Sequence, residues 1–329
     1  MIFIPGQGNG GGSWRFITAT ELPATVAKRT FLAVTATIPG SIVLSDGAPE
    51  SPATGDLWFH ITDPGQGRVL SDGTVPFQCW GAYQWSGTAW TLLTAYYSYL
   101  GAWKTVQGLP PLGTSLENCT WEQIGRIAEA GKATDYFVIG DTKSIVLTTA
   151  ETLTLRIIDF AHDDLNGTSG GKAAMTFDTV DCMNDSKSMN SSATNVGGYS
   201  GSAFYNELTN VIFHTLPEEL QTVVKTVTKK SSAGSQSSAI TTTGEQIFLF
   251  SEVELHGTLT YSKAGEGTQY ALYTSGGSKV KKQSGSAIIW WTRSPSAPDS
   301  ASFCSVSASG APYGQGATTG NGIAFGLCI

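Results

Sequence analysis

The chain has 329 residues, with 19 Lys and Arg against 26 Asp and Glu (formal charge -7), and only 14% of it is charged, where globular chains average about 25%. That balance offers no basic surface to a nucleic-acid backbone, and the low charge together with 39 Gly and 10% aromatic residues excludes both a disordered tail and a heptad-built coiled coil. It predicts short strands and many turns, over more than one domain at roughly 100 to 200 residues each.

Residues 1–38 read as an arm. Met1 to Ser13 has a few apolar residues and a Gly-rich run, without the basic lead and apolar core of a signal peptide. Trp14, Phe16 and Ile17 follow, then Thr20 to Pro39, which has strand propensity but too little apolar mass to fold alone. The arm is expected to lie on a partner through Trp14, Phe16 and Ile17. Residues 39–105 predict a small β domain, with turn signals at Ser45-Asp46-Gly47, Asp63-Pro64-Gly65, Ser71-Asp72-Gly73 and Ser86-Gly87 between short apolar runs. Trp58, Trp85, Trp90 and Trp103 supply core or subunit-contact volume there, with a sugar site as the alternative.

Residues 106–119, with Gly108-Leu109-Pro110-Pro111-Leu112-Gly113, read as a stiff linker to an α+β domain over 120–329. Thr120 and Gln123 form a capping box, Trp121, Ile124, Ile127 and Ala128 a helical face, and Gly131 the stop. A second helix is predicted from Ser202 to His214 and a third after Leu216-Pro217. Strands are predicted at Tyr136 to Ile139, Ser144 to Thr148, Leu153 to Phe160, Ala173 to Phe177, Gln246 to Ser251, Ala287 to Thr292, Ser302 to Val306 and Gly322 to Ile329, the last burying Ile329 in a sheet. Asp178 to Gly198, Lys229 to Thr243, Gly257 to Ser286 and Ser307 to Asn321 read as long loops, the natural place for binding. No run approaches 18 apolar residues, so no membrane span is expected. Cys79, Cys119, Cys182, Cys304 and Cys328 have no metal or disulfide spacing and are expected to be buried, reduced thiols.

For chemistry, each sharp reading has a plainer one beside it. His162-Asp163-Asp164 offers a cation site or an acid–base pair, but a strand-end turn leading to Asn166-Gly167 needs the same short polar residues. Glu252 and Glu254, placed on one face of a strand, suggest a carboxylate dyad or, preferably, ion partners for Arg156, Arg293 or Lys229. Trp290 and Trp291 face opposite sides of their strand, one toward the core and one toward a ligand or interface. The candidate ligand residues are Trp291, Arg293, Tyr313, Gln315 and Asn321, with Ser307 to Asn321 as the leading loop. Lys229-Lys230 and Lys279-Val280-Lys281-Lys282 read as solvated surface, with anionic wall polymers as the alternative. Catalytic residues, metal ligands and cofactors are not expected.

Two blocks carry a resemblance. Pro52-Ala53-Thr54-Gly55-Asp56-Leu57-Trp58 followed by Tyr83-Gln84-Trp85-Ser86-Gly87-Thr88-Ala89-Trp90 resembles the N-terminal part of tail-fibre and appendage proteins of phages and prophages of gut Firmicutes. From about residue 120 onward, Trp121-Glu122-Gln123-Ile124, His162-Asp163-Asp164, Leu216-Pro217-Glu218-Glu219-Leu220, Leu249 to Glu254, Glu266-Gly267-Thr268-Gln269-Tyr270, Trp290 to Pro295 and Gly322 to Ile329 resemble the DUF6273 domain family. The resemblance implies a C-type-lectin-like fold for the second domain. It also implies a virion protein on the phage exterior, made in the host cytoplasm without a signal peptide. Its arm is expected to meet other virion proteins and its C-terminal domain a host glycan or wall polymer. A homo-oligomer is expected, a trimer among the options, with neither nucleic-acid binding nor membrane insertion. A purely structural neck, collar or capsid fibre and a virion-associated glycan hydrolase stand as alternatives.

Overall fold

The computed structural model describes residues 3–4, 13–17, 30–34, 40–45, 48–62, 78–93, 95–99, 102–106, 113–167 and 170–329. It is β-rich, with several sheets and few helices, and it divides into two compact units, Met1–Pro111 and Leu112–Ile329.

The first unit contains β1 (Phe3–Ile4), β2 (Ser13–Ile17), β3 (Thr30–Val34), β4 (Ile42–Ser45), β5 (Leu57–Thr62), β6 (Gln78–Trp85), β7 (Trp90–Leu93), β8 (Ala95–Tyr99) and β9 (Ala102–Val106). These strands form two sheets, ordered β1-β2-β3-β8-β9 and β4-β5-β6-β7. The segment expected as an arm thus contributes β1 to β3 to a sheet completed by β8 and β9, because laddering satisfies the backbone groups of strands that lack a core of their own. Trp14, Phe16 and Ile17 lie in β2, and their side chains fall outside the described residues. So do the side chains of Cys79 and Trp103, the turns at 46–47, 63–65 and 71–73, and linker residues 107–112.

Both aromatic motifs of this unit have a structural cause. Gly55 turns the chain at φ +94°, and the Asp56 carboxylate accepts the backbone N–H groups of Ser41 (2.9 Å) and Ala53 (2.8 Å), closing the loop before β5. Trp85 pairs with Trp90 across the β6–β7 hairpin, whose turn is held by Ser86 donating to the Ala89 carbonyl at 3.0 Å. The Gln84 side chain donates to the Gly55 carbonyl (3.2 Å), joining the motifs, and Trp58 stacks on Tyr83 at 4.9 Å and meets Trp90 at 5.6 Å. Trp58, Trp85 and Trp90 are therefore packing residues of one ring cluster.

In the second unit the helices are α1 (Trp121–Glu129), α2 (Ala133–Tyr136), α3 (Ala203–Glu207), α4 (Glu218–Gln221), α5 (Glu252–His256) and α6 (Ala271–Thr274). Its strands are β10 (Thr142–Val146), β11 (Thr152–Phe160), β12 (Met175–Thr179), β13 (Ser186–Lys187), β14 (Val227–Ser232), β15 (Ile240–Glu245), β16 (Ile247–Phe248), β17 (Lys281–Gln283), β18 (Ser286–Ile288), β19 (Trp290–Pro295), β20 (Ser302–Val306), β21 (Pro312–Gly316), β22 (Asn321–Gly322) and β23 (Gly326–Cys328). One sheet runs β10-β11-β12-β23-β16 and a second β13-β22-β19-β20-β21, with hairpins β14–β15 and β17–β18 beside them. Ile329 is buried, exchanging backbone hydrogen bonds with Met175 at 3.0 Å each.

The Thr120–Gln123 capping box starts α1, and Trp121 on that helix meets Phe177 edge to face at 6.2 Å. α3 begins at Ser202, whose hydroxyl accepts the Tyr205 N–H (3.1 Å), and continues through a π turn over Leu208–Ile212. Residues 113–119, expected as linker, include a 3-10 turn at Leu116–Asn118 that buries Leu116 and Cys119 within this unit. Tyr136 to Ile139 is not a strand. Tyr136 ends α2, Val138 is exposed, and the Asp141 carboxylate accepts the Val138 N–H at 2.9 Å and turns the chain. The strand predicted over Gln246 to Ser251 stops at Phe248, and Ser251 then caps α5.

Candidate functional site

Strand alternation sorts the two lysine pairs. Along β14 Lys229 is buried and Lys230 exposed, and along β17 Lys281 is buried and Lys282 exposed. The expectation of solvated surface is therefore corrected for Lys229 and Lys281, because buried carboxylates stand opposite both.

Lys229 Nζ donates to Asp163 (2.7 Å), to Glu254 on α5 (2.8 Å) and to the Tyr270 hydroxyl (2.9 Å), and it lies 4.1 Å from the Phe248 ring centroid. Tyr270 in turn donates to Asp163 at 3.1 Å, as does Thr176 at 2.7 Å. Arg293 on β19 grips Glu254 with both terminal nitrogens (2.5 and 2.6 Å) and also donates to the backbone carbonyls of Lys230, Leu249 and Glu266. Glu266 accepts the Ser232 N–H (2.6 Å) and the Ser294 hydroxyl. Glu254 is placed by its own helix start, since Ser251 and Glu254 form a capping box.

Burial acts on every acid in this cluster, with different results. It pushes the Asp163 carboxyl up, but the adjacent Lys229 ammonium and the hydrogen bonds from Lys229 and Thr176 hold it well below the usual carboxylate range. Glu254 is likewise lowered overall, with burial opposed by Arg293 and Lys229. No such match exists for the other two acids, and burial pushes Glu266 and Glu245 up to about 7. Charge counting gives the same answer. Four carboxyls share two cations, Lys229 and Arg293, so two carboxyls keep their protons more readily.

Above this cluster opens a cleft of about 390 Å³, lined by His162 to Asp164, Lys172, Thr228 to Lys230, Gly265 to Thr268, Glu254 and Arg293. Gly267, at φ +130°, passes directly over Glu254. A Cβ there would lie 2.9 Å from Glu254 Oε1, so this approach requires glycine. At the rim Lys172 pairs with Asp164 at 2.6 Å, and His162 Nδ1 bonds Asp159 at 2.9 Å.

The sequence-predicted ligand residues are largely inside. Trp291 and Arg293 are fully buried, the first with its indole N–H on the Lys187 carbonyl (2.7 Å) and the second in the ionic cluster; Asn321 is 3% exposed. Trp291 and Asn321 are corrected to core residues, Trp291 because both faces of β19 are covered; Arg293 is buried too, but it lines the floor of the cleft. Tyr313 is exposed and Gln315 half-buried on the edge strand β21, away from the cleft that Arg293 lines. Ser307 to Asn321, read as a loop, contains that strand. Glu252 is on a helix, not a strand, and its carboxylate pins a loop by accepting the N–H groups of Thr260, Tyr261 and Ser262.

Several residues escaped the sequence reading. Lys281 and Glu266 belong to the polar interior, whereas the pairing of Glu254 with Lys229 and Arg293 is the one expected of it. Asn195 joins three loops, donating to the carbonyls of Asp299 (2.8 Å) and Ser302 (2.7 Å) and accepting the Ser235 N–H (2.7 Å). Asp178 anchors a second ionic cluster with Arg156, Lys281 and Tyr273. Cys119, Cys182, Cys304 and Cys328 are buried and unpaired, and burial pushes the Cys182 thiol up to about 12. Among the described residues no three His, Cys, Asp or Glu side chains are grouped to hold a metal, and no helix is long and apolar enough to cross a membrane.

Residues 170–329 match the family described as Domain of unknown function (DUF6273), so a domain of that family is present over this stretch. The compact unit begins earlier, at Leu112, and its sheet includes β10 and β11. Trp121 to Ile124 and His162 to Asp164, which also carried the resemblance, lie outside the matched stretch. No curated protein and no solved structure matches the chain.

Proposed function

We propose that the chain is a non-enzymatic virion protein of a tailed phage, a tail-fibre or baseplate-type appendage whose second unit binds a glycan on the host surface. The observation that carries the binding half is the state of the cleft floor. Asp163, Glu254 and Glu266 are each held by internal donors, which makes them a scaffold under the cleft and not a free acid–base pair of the sort glycan hydrolysis uses. Asn195 and Glu252 pin the neighbouring loops, so the surface is presented preorganised, which lowers the ordering cost of binding.

The virion half rests on the two motif resemblances taken together, and in the first unit Gly55, Asp56, Trp58, Gln84, Trp85 and Trp90 of its motif have structural roles. We read the second unit as C-type-lectin-like, on the second resemblance. In this reading the first unit meets other virion proteins and the chain assembles as a homo-oligomer, so that weak contacts gain avidity. The test is binding of the full chain to intact host cells and to purified wall polysaccharide, with reducing sugar followed in the same samples. Saturable binding without sugar release is expected. Sugar release would make it a hydrolase, and absence of binding a structural neck, collar or capsid fibre.

A further inference from the structure

The acceptors under the cleft are engaged. Asp163 takes Lys229, Tyr270 and Thr176; Glu254 takes Lys229, Arg293 and the Ser251 N–H; Glu266 takes Ser232 and Ser294. What stands unmatched around the opening is donor. Lys230 is exposed with neither ion pair nor side-chain hydrogen bond among the described residues, and the backbone N–H groups of Gly265, Gly267 and Thr268 donate no hydrogen bond there. The loop that bears them is fixed. Glu266 is tied to β14 through Ser232 and to β19 through Ser294 and Arg293, and the flanking glycines hold φ +101° and +130°, values closed to most side chains.

A set of fixed N–H donors with a free ammonium selects an acceptor, and a negatively charged one by preference. A cation finds no vacant carboxylate on the floor. No Leu, Ile, Val, Met, Phe, Trp or Tyr lines the cleft, so nothing there favours an apolar ligand over a polar one. The volume of about 390 Å³ suits a ring-sized ligand, within the roughly 300–1,000 Å³ of small-molecule pockets.

We propose that this cleft binds an oxyanion-bearing saccharide unit, a sugar carrying a carboxylate or phosphate, with Lys230 and the N–H groups of Gly265, Gly267 and Thr268 holding the anion. Thr228 and His162 line the same cleft but are engaged, the Thr228 hydroxyl with Asn166 (3.3 Å) and the His162 ring with Asp159 (2.9 Å) and the Thr268 hydroxyl (3.3 Å). An acidic-sugar site deepens the host-glycan reading and rests on it.

The test is calorimetric titration of the full chain with glucuronic acid, glucose 1-phosphate, glucose and inorganic phosphate. The two acidic sugars are expected to bind, the stronger identifying the anion type, and glucose to bind far more weakly. Lys230→Gln, at an exposed position that spares the fold, is expected to weaken the acidic sugars about tenfold, the order of one charge-assisted hydrogen bond, while Lys282→Gln leaves them unchanged. Failure of both acidic sugars to bind, or equal binding by Lys230→Gln, overturns the site. Inorganic phosphate matching the sugars overturns the saccharide part. Host-cell binding by the full chain separates the two levels. Cells bound equally by wild type and Lys230→Gln would leave the adhesin reading standing with its site elsewhere, and cells not bound at all would remove that reading as well.

Discussion

The second unit holds two buried ionic clusters with opposite imbalances. Around Asp178 one carboxylate meets two cations, Arg156 through two nitrogens (3.1 and 2.8 Å) and Lys281 at 2.9 Å, with the Tyr273 hydroxyl at 2.7 Å. Around Lys229 and Arg293 the excess is acidic, with Asp163, Glu254, Glu266 and Glu245 sharing two cations. The first cluster ties β11, β12 and β17 and needs no proton to be neutralised. The second underlies the cleft, and burial pushes two of its acids up to about 7. Similar side chains therefore lock one part of the unit and make the other responsive to pH.

The acid-rich cluster is broken most severely by removing the carboxylate that both cations share. Glu254→Gln leaves Lys229 and Arg293 buried with one ionised partner between them, and a loss of about 3–5 kcal/mol is expected in guanidinium unfolding, the range for breaking a buried pair. A loss under about 1 kcal/mol would mean that Glu266 or Glu245 ionises in its place, and the cluster would then adjust its own charge.

The pH response has a definite sign. Glu266 has a folded pKa of about 7 against an ordinary value of 4.5, so between these values the folded state holds the extra proton and stability falls as pH rises. Asp163, Asp178 and Glu254 are lowered, and their contribution is present above their ordinary values and lost as pH falls through the folded ones. His256, lowered to about 4 by burial, adds an opposing rise between pH 4 and 6.5. Comparing wild type with Glu266→Gln isolates the one group. The wild type is expected to lose about 3 kcal/mol relative to the variant between pH 4.5 and 8, seen as a divergence of their unfolding midpoints. Parallel midpoint curves would show that the Glu266 carboxyl titrates alike in the folded and unfolded chain.

Much of the fold is legible in the sequence, and of the cleft only the His162 to Asp164 segment and the pairing of Glu254 with Arg293 and Lys229 are. The capping box at Thr120, the helix start at Ser202, β11, β20 and the buried Ile329 follow from local signals of a few residues each. The β14–β15 hairpin reads as a loop because Lys, Ser and Thr mask its alternation. Lys229 is buried only because Asp163 and Glu254, 66 and 25 residues away, stand opposite it. Ser251 and Glu254 carry a legible helix start, hidden by the apolar run of Gln246 to Phe250 that reads as a strand. Trp291 looks like a ligand residue since one strand cannot reveal that both its faces are covered. Partners far apart in sequence determine what is inside, and local pattern reveals only a few of them, such as Lys229 and Arg293 for Glu254.

A neutral hub sharpens the contrast with the charged ones. Asn195 is fully buried, its amide donating to Asp299 and Ser302 and its oxygen accepting the Ser235 N–H, while a Cβ on Gly234 would come within 1.8 Å of the Asn195 carbonyl. Asn195→Ala removes these bonds with no charge change. A loss of about 2–3 kcal/mol is expected, smaller than for Glu254→Gln, and independent of pH from 5 to 8 because nothing there titrates. A pH-dependent loss would connect these loops to the acid-rich cluster.

The smallest effect isolates burial itself. Lys172–Asp164 at the cleft rim and Lys229–Asp163 on its floor are nearly equal in length, 2.6 and 2.7 Å, but the rim side chains are 44% and 55% exposed and the floor side chains 2% and 4%. Coulomb attraction at one distance is many times weaker in water than in the interior, and water compensates each rim charge when its partner is removed. Lys172→Gln is therefore expected to cost about 0–1 kcal/mol, a cost that shrinks further at high salt, whereas replacing Lys229 by Gln strands Asp163 and Glu254 beneath the cleft. Unfolding of both variants at low and high salt checks this. If the rim variant loses as much as the floor variant, the rim pair is part of the scaffold, and the boundary between fixed floor and available opening must be drawn farther out.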